Sequence, residues 1–374
     1  MRIIYRILLF SVFSLMPCSQ HQIRINKVIH DNRLKFIFIS LFIFILPFSA
    51  SARSQDPSQL QTLQIFFEND LFGDTDKYYT NAVQFTWLSP DLKQYKDDVR
   101  LPDWTIPMIR AIPFSQTPNS THNVGILFGQ HIYTPSDIQA TSLINSDRPY
   151  AGFLFGGLAL HSKTDLMLDT LEIIVGVVGP KAFAEFTQNT VHDMRNISTA
   201  KGWDNQLHSE LAVRFSWQRK WRMYRNQAVD IFDYDLITHA GITLGNIRIS
   251  GNAGGEIRFG YHLPYDFGSD VIRAGAGVST PALNHPTKRR KAFGTHLFAG
   301  AQLEVVGHDL FLDGNTFKNS HSVDKKKLVA DFSAGLALNY DRYKFTYRHL
   351  YRTKQFTNQV QDQIIGSLTL TISF

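Results

Sequence analysis

Residues 364–374 read I-I-G-S-L-T-L-T-I-S-F, end the chain on an aromatic, and decide its fold. Leu368, Leu370, Ile372 and Phe374 alternate with Ser367, Thr369, Thr371 and Ser373. Side chains of a strand point to opposite faces with period two. One face is therefore apolar and the other is all hydroxyl. A transmembrane β-barrel places such a strand last, with lipid outside and a polar lumen inside. An edge strand of a soluble β-sandwich would alternate too, so the rest of the chain must choose.

The start of the chain points to export. Arg33 and Lys35 precede an apolar run over 36–48, followed by Ser49-Ala50-Ser51-Ala52. A basic region, a short apolar core and small residues form a signal peptide, with cleavage expected after Ala52. The apolar run is short for a transmembrane helix. A second apolar run, 3–16, lies upstream, so initiation is expected nearer Leu34, with an N-terminal membrane anchor as the alternative. The expected organisation is a leader over 1–52 and one barrel domain over 53–374. Cys18, the single cysteine, falls in the leader, which leaves the mature chain without thiol or disulfide chemistry.

The chain carries 38 Lys and Arg against 32 Asp and Glu. Residues 1–52 hold six of the bases (Arg2, Arg6, Arg24, Lys27, Arg33, Lys35) and one acid, Asp31. That leaves 32 bases against 31 acids, a net of +1. The basic balance belongs largely to the leader and is no argument for nucleic acid.

Beyond residue 52 no run approaches the ~20 apolar residues of a membrane helix. Short alternating runs recur instead, at 63–70, 80–88, 124–133, 151–161, 170–178, 210–217, 234–244, 255–262, 271–278, 293–305, 329–338, 343–351 and 363–374. These are thirteen candidates. A bacterial single-chain barrel needs an even number, so twelve strands are expected, with one candidate merged or misread. The fold class is an all-β, twelve-stranded antiparallel transmembrane barrel. By parity, with the chain entering from the periplasm, 71–79, 134–150 and 179–209 fall on the exterior side. The connection 89–123 is periplasmic and unusually long. Glu68-Asn69-Asp70, Thr80, Asp147-Arg148-Pro149-Tyr150, Gln188 to His192 and Gly202 to Gln206 all gather at the exterior end.

Within that end, 182–195 is expected to be a short helix in an exterior loop, after Gly179-Pro180. Gln188 and His192 are four apart and share a helix face. Histidine is suited to take a proton from water near neutral pH, although a polar histidine on a surface helix is commonplace. Asn69 and Asp70 end a strand, and alternation along 80–88 turns Thr80 to the lumen, across a short loop from Asp70. Such hard oxygens suit Ca²⁺ more than a soft metal. One carboxylate with two neutral oxygens makes a weak site completed by water. A polar lumen explains the same residues without a metal. The chain holds no G-x-S-x-G elbow, no H-E-x-x-H and no P-loop.

The ordered pieces E-N-D at 68–70, Y-Y-T-N at 78–81, I-Y-T-P-S at 132–136, D-R-P-Y-A-G at 147–152, V-G-P at 178–180, Q-N-T-V-H at 188–192 and G-W-D-N-Q-L at 202–207 resemble the lipid A 3′-O-deacylase family of outer-membrane β-barrels. The resemblance implies a Ca²⁺-dependent esterase acting on lipid A of lipopolysaccharide in the outer leaflet. It implies His192 as the base that activates water. Asn69, Asp70 and Thr80 become the set that shapes the site, holds calcium through Asp70 and stabilises the oxyanion, and Gln188 orients His192. Arg148 and Tyr150 are the candidate substrate-binding residues, with a loop-locking pair between Arg148 and Asp147 as the alternative. Two positions depart from the family pattern. Ser198 stands where an acid six residues after the histidine is expected, with Asp193 or Asp204 as substitutes. Ala140 and Thr141 stand where basic residues are expected. Outer-membrane lipids and, through Phe374, the outer-membrane assembly machinery are the expected partners. An outer-membrane phospholipase and a non-catalytic porin are the alternative readings.

Overall fold

The computed structural model describes residues 60–70, 78–226, 232–269 and 293–374. Twelve strands appear among them: β1 (Thr62–Asn69), β2 (Tyr78–Leu88), β3 (Thr121–Thr134), β4 (Ala151–Lys163), β5 (Met167–Val178), β6 (Glu210–Arg225), β7 (Phe232–Gly245), β8 (Arg248–Tyr261), β9 (Phe293–Asp309), β10 (Leu328–Tyr340), β11 (Tyr343–Arg352) and β12 (Gln363–Ser373). Each is antiparallel to its sequence neighbours, and β1 pairs with β12 to close the barrel. Three short helices join them, α1 (Ile106–Arg110), α2 (Ala184–Arg195) and α3 (Leu310–Asp313). No helix among the described residues is long and apolar enough to cross a membrane; the crossing is made by strands.

Twelve of the thirteen expected strands are present. The thirteenth, 271–278, lies outside the described residues, and β8 pairs directly with β9. The expected leader and its cleavage site also lie outside them.

The terminal strand behaves as its alternation requires. Ser367 and Thr369 are buried toward the lumen, and Leu368 and Leu370 face outward. The same division runs round the barrel, with Phe128, Val175, Phe215, Ile257, Leu297 and Phe332 exposed on the outer wall. Free edges disappear on closure, so every strand finds its backbone partners without water, which a hydrocarbon environment demands.

Polar inward side chains pair within the lumen, mostly between neighbouring strands. Arg214 meets Glu172 at 2.6 Å, Arg248 meets Glu304 at 2.8 Å and Asp309 at 2.6 Å, Arg348 meets Glu256 at 2.8 Å, and Arg352 meets Asp331 at 2.8 Å. Residues 263–269, which follow β8, are held inside the lumen. Asp266 pairs with Arg258 and, at 2.8 Å, with Lys344. Its carbonyl accepts from Arg222 at 2.6 Å, and the Phe267 and Ser269 carbonyls accept from Lys220 and Arg348. Among the described residues, two cavities lined by these lumen side chains measure about 110 and 50 Å³.

The chain divides into two compact units. The described barrel residues up to Asn189 and from Thr199 onward form one, and Thr190–Ser198 belongs to the other.

Candidate active site

Strand parity brings Asn69, Asp70, Thr80, Arg148 and Tyr150 to one end of the barrel, together with the β5–β6 connection that carries α2. They do not share a face. Glu68 lines the lumen and bonds the Tyr79 hydroxyl at 3.1 Å. Asn69, one residue on, alternates to the outer wall, and Asp70 follows at the strand end, fully buried.

Thr80 departs from the expected inward orientation. The β2–β3 register shifts between Tyr79 and Asn81, leaving Thr80 as an extra residue in a β-bulge. A bulge re-aims the side chain at the inserted position. The Thr80 hydroxyl sits 2.7 Å from that of Thr134. Thr134 alternates with the lumen-lining Tyr133 and so shares the outer face with Ile132. Simple alternation fails here because the bulge adds one residue.

The outer wall at this end is covered by the start of α2. Ile132 packs with Tyr150, Ala184, Ala200 and Trp203 in one apolar cluster. Gln130 donates to the Ala182 carbonyl at 2.6 Å. Gly152 permits the close approach: a Cβ there would stand 2.4 Å from the Cβ of Ala184. Farther along, Gln188 Oε1 accepts from the Trp203 indole at 3.0 Å, and Asn189 Oδ1 accepts from the Ala200 N–H at 3.1 Å. Gln188 is buried, and its amide nitrogen has no hydrogen-bond partner among the described residues.

The expected helix begins at Ala184 and runs to Arg195, so Gln188 and His192 lie one turn apart on it. Within Thr190–Ser198, His192 Nδ1 is 2.7 Å from the Ser198 carbonyl oxygen, and the Ile197 N–H bonds the His192 carbonyl at 3.0 Å. A carbonyl only accepts, so Nδ1 carries a proton, and in the neutral ring the lone pair then lies on Nε2.

The two candidate substrate residues are drawn into the fold. The Arg148 guanidinium is buried at the lumen, over the Tyr133 ring at 4.8 Å. It does not pair with Asp147, whose carboxylate accepts from the Arg148 backbone N–H at 2.7 Å and from the Ser136 hydroxyl at 2.6 Å. Asp147 thus locks its own turn rather than the arginine. Tyr150 is 3% exposed, 4.9 Å from Trp203 between ring centroids, and its hydroxyl bonds the Ile138 carbonyl. Trp203 and Thr134 are contributors that the sequence reading left without a role. An indole N–H four residues before L-207 gave no sign of its partner, because that partner lies fifteen residues back.

No group of three or more His, Cys, Asp or Glu among the described residues is arranged to hold a metal. Asp70 follows β1 as a buried carboxylate, and a carboxylate oxygen is a hard ligand that suits Ca²⁺ better than a softer transition metal.

A family model for outer membrane protein LpxR matches residues 37–374. Among solved structures, LpxR from Salmonella typhimurium superposes with a TM-score of 0.66 at 18% identity, over 84% of this chain and 100% of that one. The β-domain of the Bordetella autotransporter BrkA aligns over 84% of this chain and 99% of that one, at 7% identity and a TM-score of 0.38. No curated protein matches the sequence. Closed barrel, polar site at one end and the family match over most of its length agree: the chain belongs to the outer membrane protein LpxR family, and is an outer-membrane hydrolase of the lipid A deacylase type.

Proposed function

We propose that this enzyme hydrolyses the 3′-linked acyl ester of lipid A at the exterior face of the outer membrane, with His192 as the base. The observation that carries the base assignment is the 2.7 Å bond from His192 Nδ1 to the Ser198 carbonyl. It leaves Nε2 as the basic nitrogen, the tautomer that proton abstraction requires.

In this reading Nε2 takes a proton from water as the oxygen attacks the ester carbonyl. The tetrahedral oxyanion forms near Asn69 and Thr80, whose amide N–H and hydroxyl are donors suited to the developing charge. Collapse expels the sugar oxygen, which receives the proton from His192, and the products are a free fatty acid and a lipid A hydroxyl. Gln188 is a positioning residue, itself fixed by the Trp203 indole. Asp70 would supply the carboxylate for a Ca²⁺, which when bound adds electrostatic stabilisation of the oxyanion. The outer-wall orientation of Asn69 and Thr80 supports a lipid substrate, because an acyl chain in the bilayer reaches that wall and not the lumen.

Mass spectrometry of lipid A from cells expressing the enzyme, beside cells expressing His192→Ala, tests the reading. Loss of one acyl mass with wild type alone supports it, and removing a general base lowers such rates about 10²–10⁴-fold. An unchanged lipid A with correctly inserted wild-type protein, or equal deacylation by a folded His192→Ala protein, overturns it.

A further inference from the structure

The long connection between β2 and β3 lies at the end of the barrel opposite α2. It is not a loose loop. The Asn123 amide donates to the carbonyls of Ser89 and Pro90, and Lys163 pairs with Asp91 at 2.6 Å. These bonds turn the chain over the rim. Beyond them Tyr95 and Ile109 pack on Val124 and Leu160, with Leu171 at the margin. Val124 and Leu160 alternate with the inward Asn123 and His161, so they belong to the outer wall. The Arg100 guanidinium lies 3.9 Å over the ring of Trp87, which also faces outward. The connection is therefore draped on the lipid-facing surface. Its own far side is apolar: Val99 is 97% exposed, Trp104 71% and Met108 64%. Trp104 lies in the short 3-10 turn (Asp103–Thr105) that leads into α1, and Met108 lies on α1 itself.

Beneath this face is a cavity of about 420 Å³ lined by Lys93, Lys96, Arg110, Ser115 and His122, among others, and by no acid. None of the three cations has an ion-pair partner among the described residues. Three of the four acids in the connection are engaged: Asp91 with Lys163, Asp97 with the Gln94 N–H, and Asp98 with Arg100. Ser115 Oγ and His122 Nδ1 are buried and have no hydrogen-bond partner among the described residues. Buried polar atoms are normally satisfied, so two of them lining one basic cavity mark a place for a ligand.

We infer that this cavity binds the phosphate of an anionic phospholipid headgroup in the periplasmic leaflet, with Trp104 and Met108 resting in the acyl region beside it. Cations and hydroxyl donors match a phosphate diester, and exposed aromatic and apolar residues on an element already seated on the lipid-facing wall match an interfacial anchor. The site is separate from the deacylase end and does not depend on its assignment.

The test uses the full-length protein in detergent and native mass spectrometry with phosphatidylglycerol, phosphatidylcholine or inorganic phosphate added. Wild type should retain phosphatidylglycerol about ten-fold more than phosphatidylcholine, and the exposed-residue variant K93Q/K96Q/R110Q should lose that preference. Heat-modifiable mobility on gels confirms that the variant is folded. In vesicles, brominated phosphatidylglycerol should quench Trp104, read as the difference between wild type and Trp104→Phe. No headgroup preference in wild type, or the same preference in the folded variant, overturns the site. Inorganic phosphate bound without lipid preference, or a Trp104 untouched by the brominated lipid, overturns the lipid assignment and leaves a free-phosphate site.

Discussion

At the residue scale, the proposed role of His192 makes a prediction about the departure at Ser198, whose carbonyl lies 2.7 Å from His192 Nδ1. The histidine is oriented by a backbone carbonyl, so the side chain at 198 is not what fixes the tautomer. Ser198→Ala should therefore keep kcat near wild type in the lipid A assay. A collapse in activity would mean that the hydroxyl acts directly. The Asp70 reading has its own check. If Asp70 is the one carboxylate on the ion, Asp70→Asn should raise the Ca²⁺ concentration needed for half-maximal activity, and chelation should silence wild type reversibly. Activity indifferent to chelator would remove calcium from the mechanism. His192 is singled out in the sequence by the resemblance carried by Q-N-T-V-H at 188–192, while its spacing from Gln188 says only that the two share a helix face. The sequence did not make the Ser198 carbonyl legible, because a backbone acceptor has no residue type to read.

At the scale of elements, strands were easy to recognise and their irregularities were not. Period-two alternation in 80–88 located β2, because each lipid-facing side chain must be apolar. The same alternation misdirected Thr80, since an inserted residue leaves the composition of the strand unchanged while rotating what precedes it. The seating of α2 is a tighter constraint than its sequence suggests. It relies on the absence of a side chain at Gly152, where a Cβ would stand 2.4 Å from Ala184. Gly152→Ala should push the start of the helix off the outer wall, at a local cost of about 1–3 kcal/mol. The barrel, which owes its closure to pairing between strands, should survive. The expected result is normal heat-modifiable mobility with reduced deacylation, and full activity in Gly152→Ala would show that the helix start tolerates displacement.

For the barrel unit, the arrangement of charge separates an enzyme from a pore. Fourteen-residue strands such as β3 and β7 enclose a lumen, and a porin would fill that space with water. Here arginines and acids pair along the inner wall, mostly between neighbouring strands, with Arg348 of β11 reaching Glu256 of β8, and 263–269 is clamped inside by Arg222, Arg258, Lys344 and Arg348. Asp266 is the keystone, since two cations converge on its carboxylate and a third bonds its carbonyl. Breaking a buried ion pair by removing one partner costs about 3–5 kcal/mol when the other charge is left alone, and less here because Arg258 keeps Asp235. Wild-type protein in planar bilayers should show no sustained conductance steps. Asp266→Ala, which takes from the segment the carboxylate that Arg258 and Lys344 hold while Arg258 keeps its pair with Asp235 at 2.6 Å, should release the segment and give flickering openings. Sustained conductance from wild type would mean that the lumen is a path after all. A silent Asp266→Ala barrel would instead place the seal in the ion pairs between Arg248, Glu304 and Asp309, nearer the catalytic end. In either sealed case the substrate has only the outer wall to approach. The bulge at Thr80, the outward turn of Asn69 and the glycine under α2 then serve one end: they move polar chemistry from the inside of a barrel to its lipid-facing side.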